Sequence, residues 1–262
     1  MHNPIYGQRN DMTKQKIFNA LMPILSLCTI VILWAITAKA VGMDILVPSI
    51  SSTFQGLGKL LSSSEFYVSV GWTLLRSLVA FSIAFVCGML LSIVASLSPY
   101  IKRFLSPIVV LLRVIPTMSI ILLSIIWLTS AQTPILVAFV IIFPLIYGGY
   151  LSAIENVDGG LIEMAKIYKV PLSKRIFSLY IPQTATALMN VVQNTIGLTL
   201  KLVIAAEVLA QTKESIGLNM QLANLYLETP TLIAWTIVAV VLGGLLESIV
   251  LLIKKIYQRS KV

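Results

Sequence analysis

Two groups of residues in this chain have types and spacings suited to specific work. One is the run EMAKIYKVPLSKRIFSLYIP over 163–182, where Glu163, Ala165, Lys169, Leu179 and Ile181-Pro182 punctuate a polar stretch between apolar ones. The other is a set of ionisable side chains inside apolar segments: Arg76, Arg113, Lys201 and Glu207. A charge at the centre of a bilayer costs at least about 2.5–3.5 kcal/mol unless it faces protein or water, so each is a candidate for contact with a solute. Neither group is the apparatus of covalent catalysis. An intramembrane enzyme needs a cluster of His, Asp or paired Ser and Lys groups at membrane depth, and the sequence offers almost none; His2 stands alone in a polar N-terminal stretch. Cys28 and Cys87 lie in apolar runs, as small apolar helix side chains do, and support neither a disulfide framework nor a thiolate metal site.

The scaffold that must position these groups is a membrane one. Of 262 residues, 58% are hydrophobic and 11% charged, whereas a soluble globule carries about a quarter charged residues. Six segments are long and apolar enough to cross about 30 Å of hydrocarbon, approximately 18–41, 70–97, 104–129, 132–151, 185–210 and 230–253. No cleavable signal peptide is expected, because the first apolar run is too long for one, so it stays as the first span. The basic residues Arg9, Lys14, Lys16, Lys102, Arg103, Lys166, Lys169, Lys174, Arg175, Lys254, Lys255, Arg259 and Lys261 all fall on one face of a six-span topology. The positive-inside rule makes that face the cytoplasm and puts both termini there. The net charge of +9 thus reads as membrane orientation and not as a nucleic-acid surface. The expected organisation is a tail over 1–17, a membrane domain over 18–253 with a polar loop at about 155–182, and a basic tail over 254–262.

Between the first two spans, Ile50, Phe54, Leu57, Leu60 and Leu61 recur near helical spacing after Pro48-Ser49. That predicts an amphipathic helix, either lying at the outer interface or packed on protein. Pro107, Pro116, Pro134 and Pro144 fall in or beside the third and fourth spans and predict a kinked central bundle, since each removes a backbone donor. No internal repeat of the kind secondary transporters carry is visible. Trp34, Trp72, Trp127 and Trp235 read as interfacial or packing residues.

In the polar loop, Leu161, Met164, Ala165 and Tyr168 stand at i, i+3, i+4 and i+7, giving a short helix one apolar stripe. Such a stripe on a loop must pack on something, either the chain's own helices or another protein. The whole loop resembles the EAA loop of ABC importer permeases: a glutamate, small residues, a turn glycine at the sixth step and an apolar-x-apolar-Pro ending. The resemblance implies that this helix sits in a groove of an ATPase subunit, with Glu163 anchoring the loop by hydrogen bonding near a helix N-terminus. Lys169 replaces the family glycine. If that turn needs positive φ, lysine costs on the order of 1 kcal/mol; alternatively Pro171 shapes the turn differently.

Nearly the whole chain is similar to the nitrate/sulfonate/taurine branch of these permeases. The matching residues are Leu46-Val47-Pro48-Ser49, Thr73-Leu74-Leu75-Arg76, Leu112-Arg113 with Pro116 and Trp127, Phe143-Pro144, Ala205-Ala206-Glu207-Val208-Leu209 and Ile216-Gly217. Ala80, Leu122 and Thr129 stand where that branch often has Gly, Pro and Gly. Lys201 and Glu207 are six residues apart in one span, about 9 Å along a helix and about 120° from alignment, so they do not pair within it. Lys201 either points into a translocation path, where a cation suits a sulfonate or carboxylate, or pairs with Glu207 of the partner subunit or another buried polar group. Arg76 and Arg113 either snorkel to opposite interfaces or touch the solute.

No G-x-x-x-x-G-K-[ST] phosphate loop occurs, so energy is expected from another subunit. The expectation is therefore an all-α, polytopic protein of six transmembrane helices, like the permeases of type I ABC importers, in the bacterial cytoplasmic membrane. The resemblance implies a pair of such subunits (a homodimer), two cytoplasmic ATPases that bind ATP and Mg, and an extracytoplasmic substrate-binding protein. This chain itself is expected to need no cofactor and no nucleic acid. The expected solute is a small anion; a small organic nutrient such as a vitamin precursor is the alternative. From another class, an ion-coupled secondary transporter or channel would show repeat symmetry or a Gly-rich filter, for which Gly148-Gly149 is too little.

Overall fold

A computed structural model describes residues 4–259; His2 and Lys261 lie outside them. The described residues form eleven α-helices and one π turn, with no strand among them. They are α1 (Pro4–Val41), α2 (Ile50–Leu61), α3 (Ser64–Leu97), α4 (Pro99–Val114), α5 (Thr117–Trp127), α6 (Thr133–Glu155), α7 (Gly159–Ile167), α8 (Leu172–Arg175), a π turn (Ile176–Tyr180), α9 (Ile181–Ala210), α10 (Ile216–Leu225) and α11 (Thr229–Arg259). Serines start several of them by accepting a backbone N–H at the N-cap: Ser49 from Ser52 at 3.1 Å, Ser63 from Phe66 at 3.3 Å, Ser215 from Leu218 at 3.0 Å.

Five described helices or helical runs are long and apolar enough to cross a membrane, and a sixth crossing exists only if α4 and α5 share one. The expected third span, 104–129, is not a continuous helix: α4 and α5 meet at 96°. The cause is local. Ile115 precedes Pro116 and is driven out of the helical region by the proline ring, and the two residues stand at ψ 126° and 131° before α5 begins. The other prolines are gentler. Pro134 sits in the first turn of α6, where a missing donor costs nothing, and Pro107 and Pro144 remain inside α4 and α6.

The core is the contact of α3, α6 and α9. Helix α3 buries Ser69, Thr73, Ser77, Ala80, Ala84, Gly88, Ser92 and Ala95, a stripe of small side chains at three- and four-residue steps. In lipid there is no hydrophobic gain from hiding Leu from Leu, so close backbone approach along such a stripe supplies the packing energy. A Cβ on Gly88 would lie 2.9 Å from Ile146 Cγ2, and one on Gly149 2.7 Å from Val191 Cγ2. On the other side of α9, Leu200 and Ile204 pack with Trp235 and Val238 of α11 and with Phe66, whose ring stacks on Trp235 at 5.4 Å. The amphipathic α2 packs on α11, with Gly56 against the Pro230 backbone, while Phe54 stays exposed. Helix α1 lies at the margin and is tied by the Trp34 indole N–H, which donates to Pro48 O at 3.0 Å.

Polar contacts separate the bundle into two ends. At one, Lys102 pairs with Glu155, and Lys254 donates to Asn190 Oδ1 at 2.6 Å. At the other, Thr212 donates to Ser130 O at 2.7 Å and Asn219 to Ser69 Oγ at 2.9 Å. Lys102, Arg103, Lys166, Lys169, Lys174, Arg175, Lys254, Lys255 and Arg259 gather at the first end.

Candidate functional site

Helix α7 stands clear of the bundle. Asp158 caps it, its Oδ1 accepting the Gly160 N–H at 2.8 Å, and the Asp158 N–H leans on Gln183 Oε1 of α9 at 3.4 Å. None of its residues is buried. Leu161, Met164 and Tyr168 of the expected stripe are exposed and Ala165 is half-buried. Ile167, which the i, i+3, i+4 pattern passed over, is 76% exposed and adds to the same uncovered apolar surface. Glu163 is exposed and makes no hydrogen bond or ion pair among the described residues; the N-terminal anchoring expected of it falls to Asp158, because α7 begins at Gly159 and leaves Glu163 beyond the first turn.

The end of α7 explains Lys169. Its φ is +49°, the left-handed region. The Lys169 N–H donates to Lys166 O at 3.0 Å and the Val170 N–H to Ala165 O at 2.9 Å, the paired bonds of a Schellman C-terminus, whose left-handed position glycine occupies most easily. Pro171 follows and does not replace this turn. Small Ala165 thus has a defined place, at the carbonyl that receives the closing bond. From there α8 and the π turn lead into α9, whose first turn is fixed by the Thr184 hydroxyl donating to Tyr180 O at 2.7 Å.

A second constellation lies at the opposite end of the bundle. The Glu207 carboxylate, 0% exposed, accepts from Thr73 Oγ1 at 2.9 Å, Arg76 Nη1 at 3.0 Å and the Gly217 N–H at 3.3 Å. Arg76 also donates to the carbonyls of Lys213 and Glu214 at 3.2 and 3.3 Å, and Thr73 Oγ1 accepts the Ile216 N–H at 3.0 Å. Arg76 therefore does not snorkel outward; it is 8% exposed and pins α3 to the connection between α9 and α10. Glu207 faces this intrachain network and not an open path. A Cβ on Gly217 would lie 2.5 Å from Glu207 Cβ, so only glycine fits. The three motifs holding Thr73-Arg76, Glu207 and Ile216-Gly217, far apart in sequence, meet here.

Arg113 likewise turns onto protein: its Nη2 donates to Pro144 O at 2.8 Å, and its guanidinium occupies the space a side chain at Gly148 would fill. Lys201 is exposed on α9 and, among the described residues, makes no hydrogen bond or ion pair; it lines a groove of about 580 Å³ between α9 and α11. The wall opposite contains Glu247, which sequence reasoning missed. A lone carboxylate within the expected 230–253 span was the available signal.

Comparison with known proteins bears on the whole arrangement. The family profile described as "Binding-protein-dependent transport system inner membrane component" matches residues 84–261. The chain is 26% identical over 216 residues to an Escherichia coli (strain K12) protein named for aliphatic sulfonates transport, the permease protein SsuC, covering 82% of this chain and 81% of that one. It is 25% identical over 176 residues to the taurine transport system permease protein TauC of the same organism, covering 67% and 64%. Among solved structures, a bacterial ABC transporter involved in alginate import superposes with a TM-score of 0.66 at 16% identity, over 95% of this chain and 98% of that one. An inward-facing MetNI methionine ABC transporter does so at 0.65 and 17%, over 73% and 95%.

Proposed function

The chain belongs to the family of binding-protein-dependent transport system inner membrane components, the permeases of ABC importers, and from that premise we propose that α7 is the element through which it receives force. The observation that carries this reading is the uncovered apolar face of Leu161, Met164, Ile167 and Tyr168 at the basic end of the bundle. A helix capped at both ends yet buried on neither side is built to lie in a groove of another protein. In this reading the basic end is cytoplasmic by the positive-inside rule. Two copies of the chain form the membrane unit, a pair of ATPase subunits carrying ATP and Mg receives the two α7 helices, and an extracytoplasmic binding protein delivers solute to the other end. Closure of the ATPases moves α7, and the Schellman turn, α8 and the π turn pass that displacement to α9. The contacts α7 makes in the open and closed ATPase pair differ, which is what shifts the inward–outward equilibrium.

The solute is small and anionic in this reading. Support comes from relatives named for sulfonate and taurine transport and from the exposed Lys201 cation at membrane depth. Co-purification of the chain with a phosphate-loop ATPase, lost in Ala165→Glu and weakened in Glu163→Ala, is the expected outcome. Full retention of the ATPase in both variants would remove α7 as the contact.

A further inference from the structure

We propose that Lys169 is the residue by which this chain selects its own ATPase, its ammonium meeting a carboxylate at the rim of the groove that receives α7. This rests on the docking role of α7 and adds to it a charge contact that discriminates between partners. Lys169 stands where the uncovered face ends: it follows Tyr168, which is 76% exposed, and is itself exposed. Its φ of +49° is the conformation that glycine adopts at least cost. The two bonds that close the turn, from the Lys169 N–H to Lys166 O and from the Val170 N–H to Ala165 O, are backbone bonds that glycine would make equally well. What the side chain brings beyond them is a cation at the end of the docking face. Gln211, Glu214 and Leu227 hold similar φ values, but in the connection at the opposite end of the bundle. Among the described residues, Lys169 is the one non-glycine residue of this conformation that borders α7.

The nearby carboxylates of the chain do not take up that cation. Glu155 pairs with Lys102, and Asp158 caps the opposite end of α7 through the Gly160 N–H. Glu163 stands six residues before Lys169, a rise of about 9 Å and about 120° from alignment on a helix, and the two form no ion pair. The sequence around Lys169 is positive instead, with Lys166, Lys174 and Arg175. One more lysine among like charges raises the free energy of this end by repulsion, and a partner that supplies a carboxylate reverses the sign. The apolar contacts of Leu161, Met164 and Ile167 fit any ATPase with an apolar groove. A matched charge at the rim separates one such ATPase from another and speeds the right encounter.

The test uses the full chain in detergent and the phosphate-loop ATPase that co-purifies with it, separated and added back with a fluorescent label. Lys169→Gly and Lys169→Asn both suit a left-handed φ, and each is expected to raise the dissociation constant about fivefold or more at about 50 mM salt. Lys169→Glu raises it further, and Lys169→Arg changes it less than about twofold. At about 500 mM salt the gap between lysine and glycine narrows through screening. Lys169→Gly also relieves the turn, so a purely structural role predicts unchanged or tighter binding, the opposite result. Lys166→Gln serves as the comparison: it lies about 140–160° around α7 from Leu161 and Met164 and is expected to change the constant less than about twofold. A carbodiimide, which joins an amine to a carboxylate in direct contact, should link Lys169 to an Asp or Glu of the ATPase. Lys169→Gly binding as tightly as the unmodified chain at low salt, or an equal effect of Lys166→Gln, overturns the proposal. So does a Lys169 effect that appears only when phosphatidylglycerol is added, because the cation then meets lipid. Binding lost in Ala165→Glu but indifferent to Lys169 overturns this proposal alone, whereas binding indifferent to Ala165→Glu overturns the docking reading and this proposal with it.

Discussion

Glu207 shows how much a single residue decides here. Buried and ionic, it is worth little against a well-packed apolar substitute, but removing one partner strands the other. Glu207→Ala leaves Arg76 buried with only carbonyl acceptors, and a loss of about 3–5 kcal/mol is expected, read as a large drop in the thermal midpoint of the purified protein. Glu207→Gln keeps acceptors for Thr73 and Gly217 and should lose less. Equal loss in both would mean that charge plays no part. Lys169 offers the opposite sign. Lys169→Gly relieves a left-handed φ of +49° and should stabilise the end of α7 by about 1 kcal/mol, seen as slower exchange of the Val170 amide, which closes the turn on Ala165. The family resemblance marked this position, because lysine stands at the sixth step where the family has its turn glycine, and left two shapes open, a left-handed residue there or a turn set by Pro171. It could not show that the turn keeps its shape with lysine in place. Nor could it pair Arg76 with Glu207, since local pattern carries no information about a partner 131 residues away.

At the scale of elements, long apolar runs were the easiest feature to read, because a bilayer demands about 20 apolar residues of each crossing helix. The third run shows the limit of that signal. Hydropathy averages over Ile115-Pro116 and sees one span, whereas backbone sterics at that dipeptide separate α4 from α5 by 96°. The amphipathic stripe of α7 was legible from spacing, and its uncovered state was not. Helix α3 carries its own prediction. Gly88 allows it to lie on α6, with Ile146 already within 2.9 Å of where a Cβ would stand. Gly88→Leu should therefore cost about 1–3 kcal/mol or more through overpacking, measured as reduced yield and thermal midpoint; Gly58→Leu, in open space on α2, serves as the comparison and should be nearly neutral. A neutral Gly88→Leu would mean that α3 and α6 are not in close contact.

On the scale of the whole molecule, the described residues form a bundle whose two ends are built differently. One end concentrates basic residues and presents α7; the other is knitted by Thr73, Arg76, Glu207, Thr212 and Gly217 into a rigid cap. Between them runs the α9–α11 groove. Because α9 follows the π turn, lines the groove and ends in the cap, the proposed docking role of α7 implies that a displacement entering there would reach the groove along one helix. Lys201 was found from sequence because it interrupts an apolar run. Glu247 interrupts an apolar run in the same way and was passed over; only the packing of α11 on Gly197 places it beside the same space.

The most direct measurement of the central claim is cross-linking from α7 in native membranes. A photoreactive group introduced at Met164 or Ile167 should yield an adduct with a phosphate-loop ATPase, and an impermeant thiol reagent added outside intact cells should leave Ile167→Cys unlabelled. Labelling from outside, or no ATPase adduct from either position, would contradict the assignment of α7 as the docking helix.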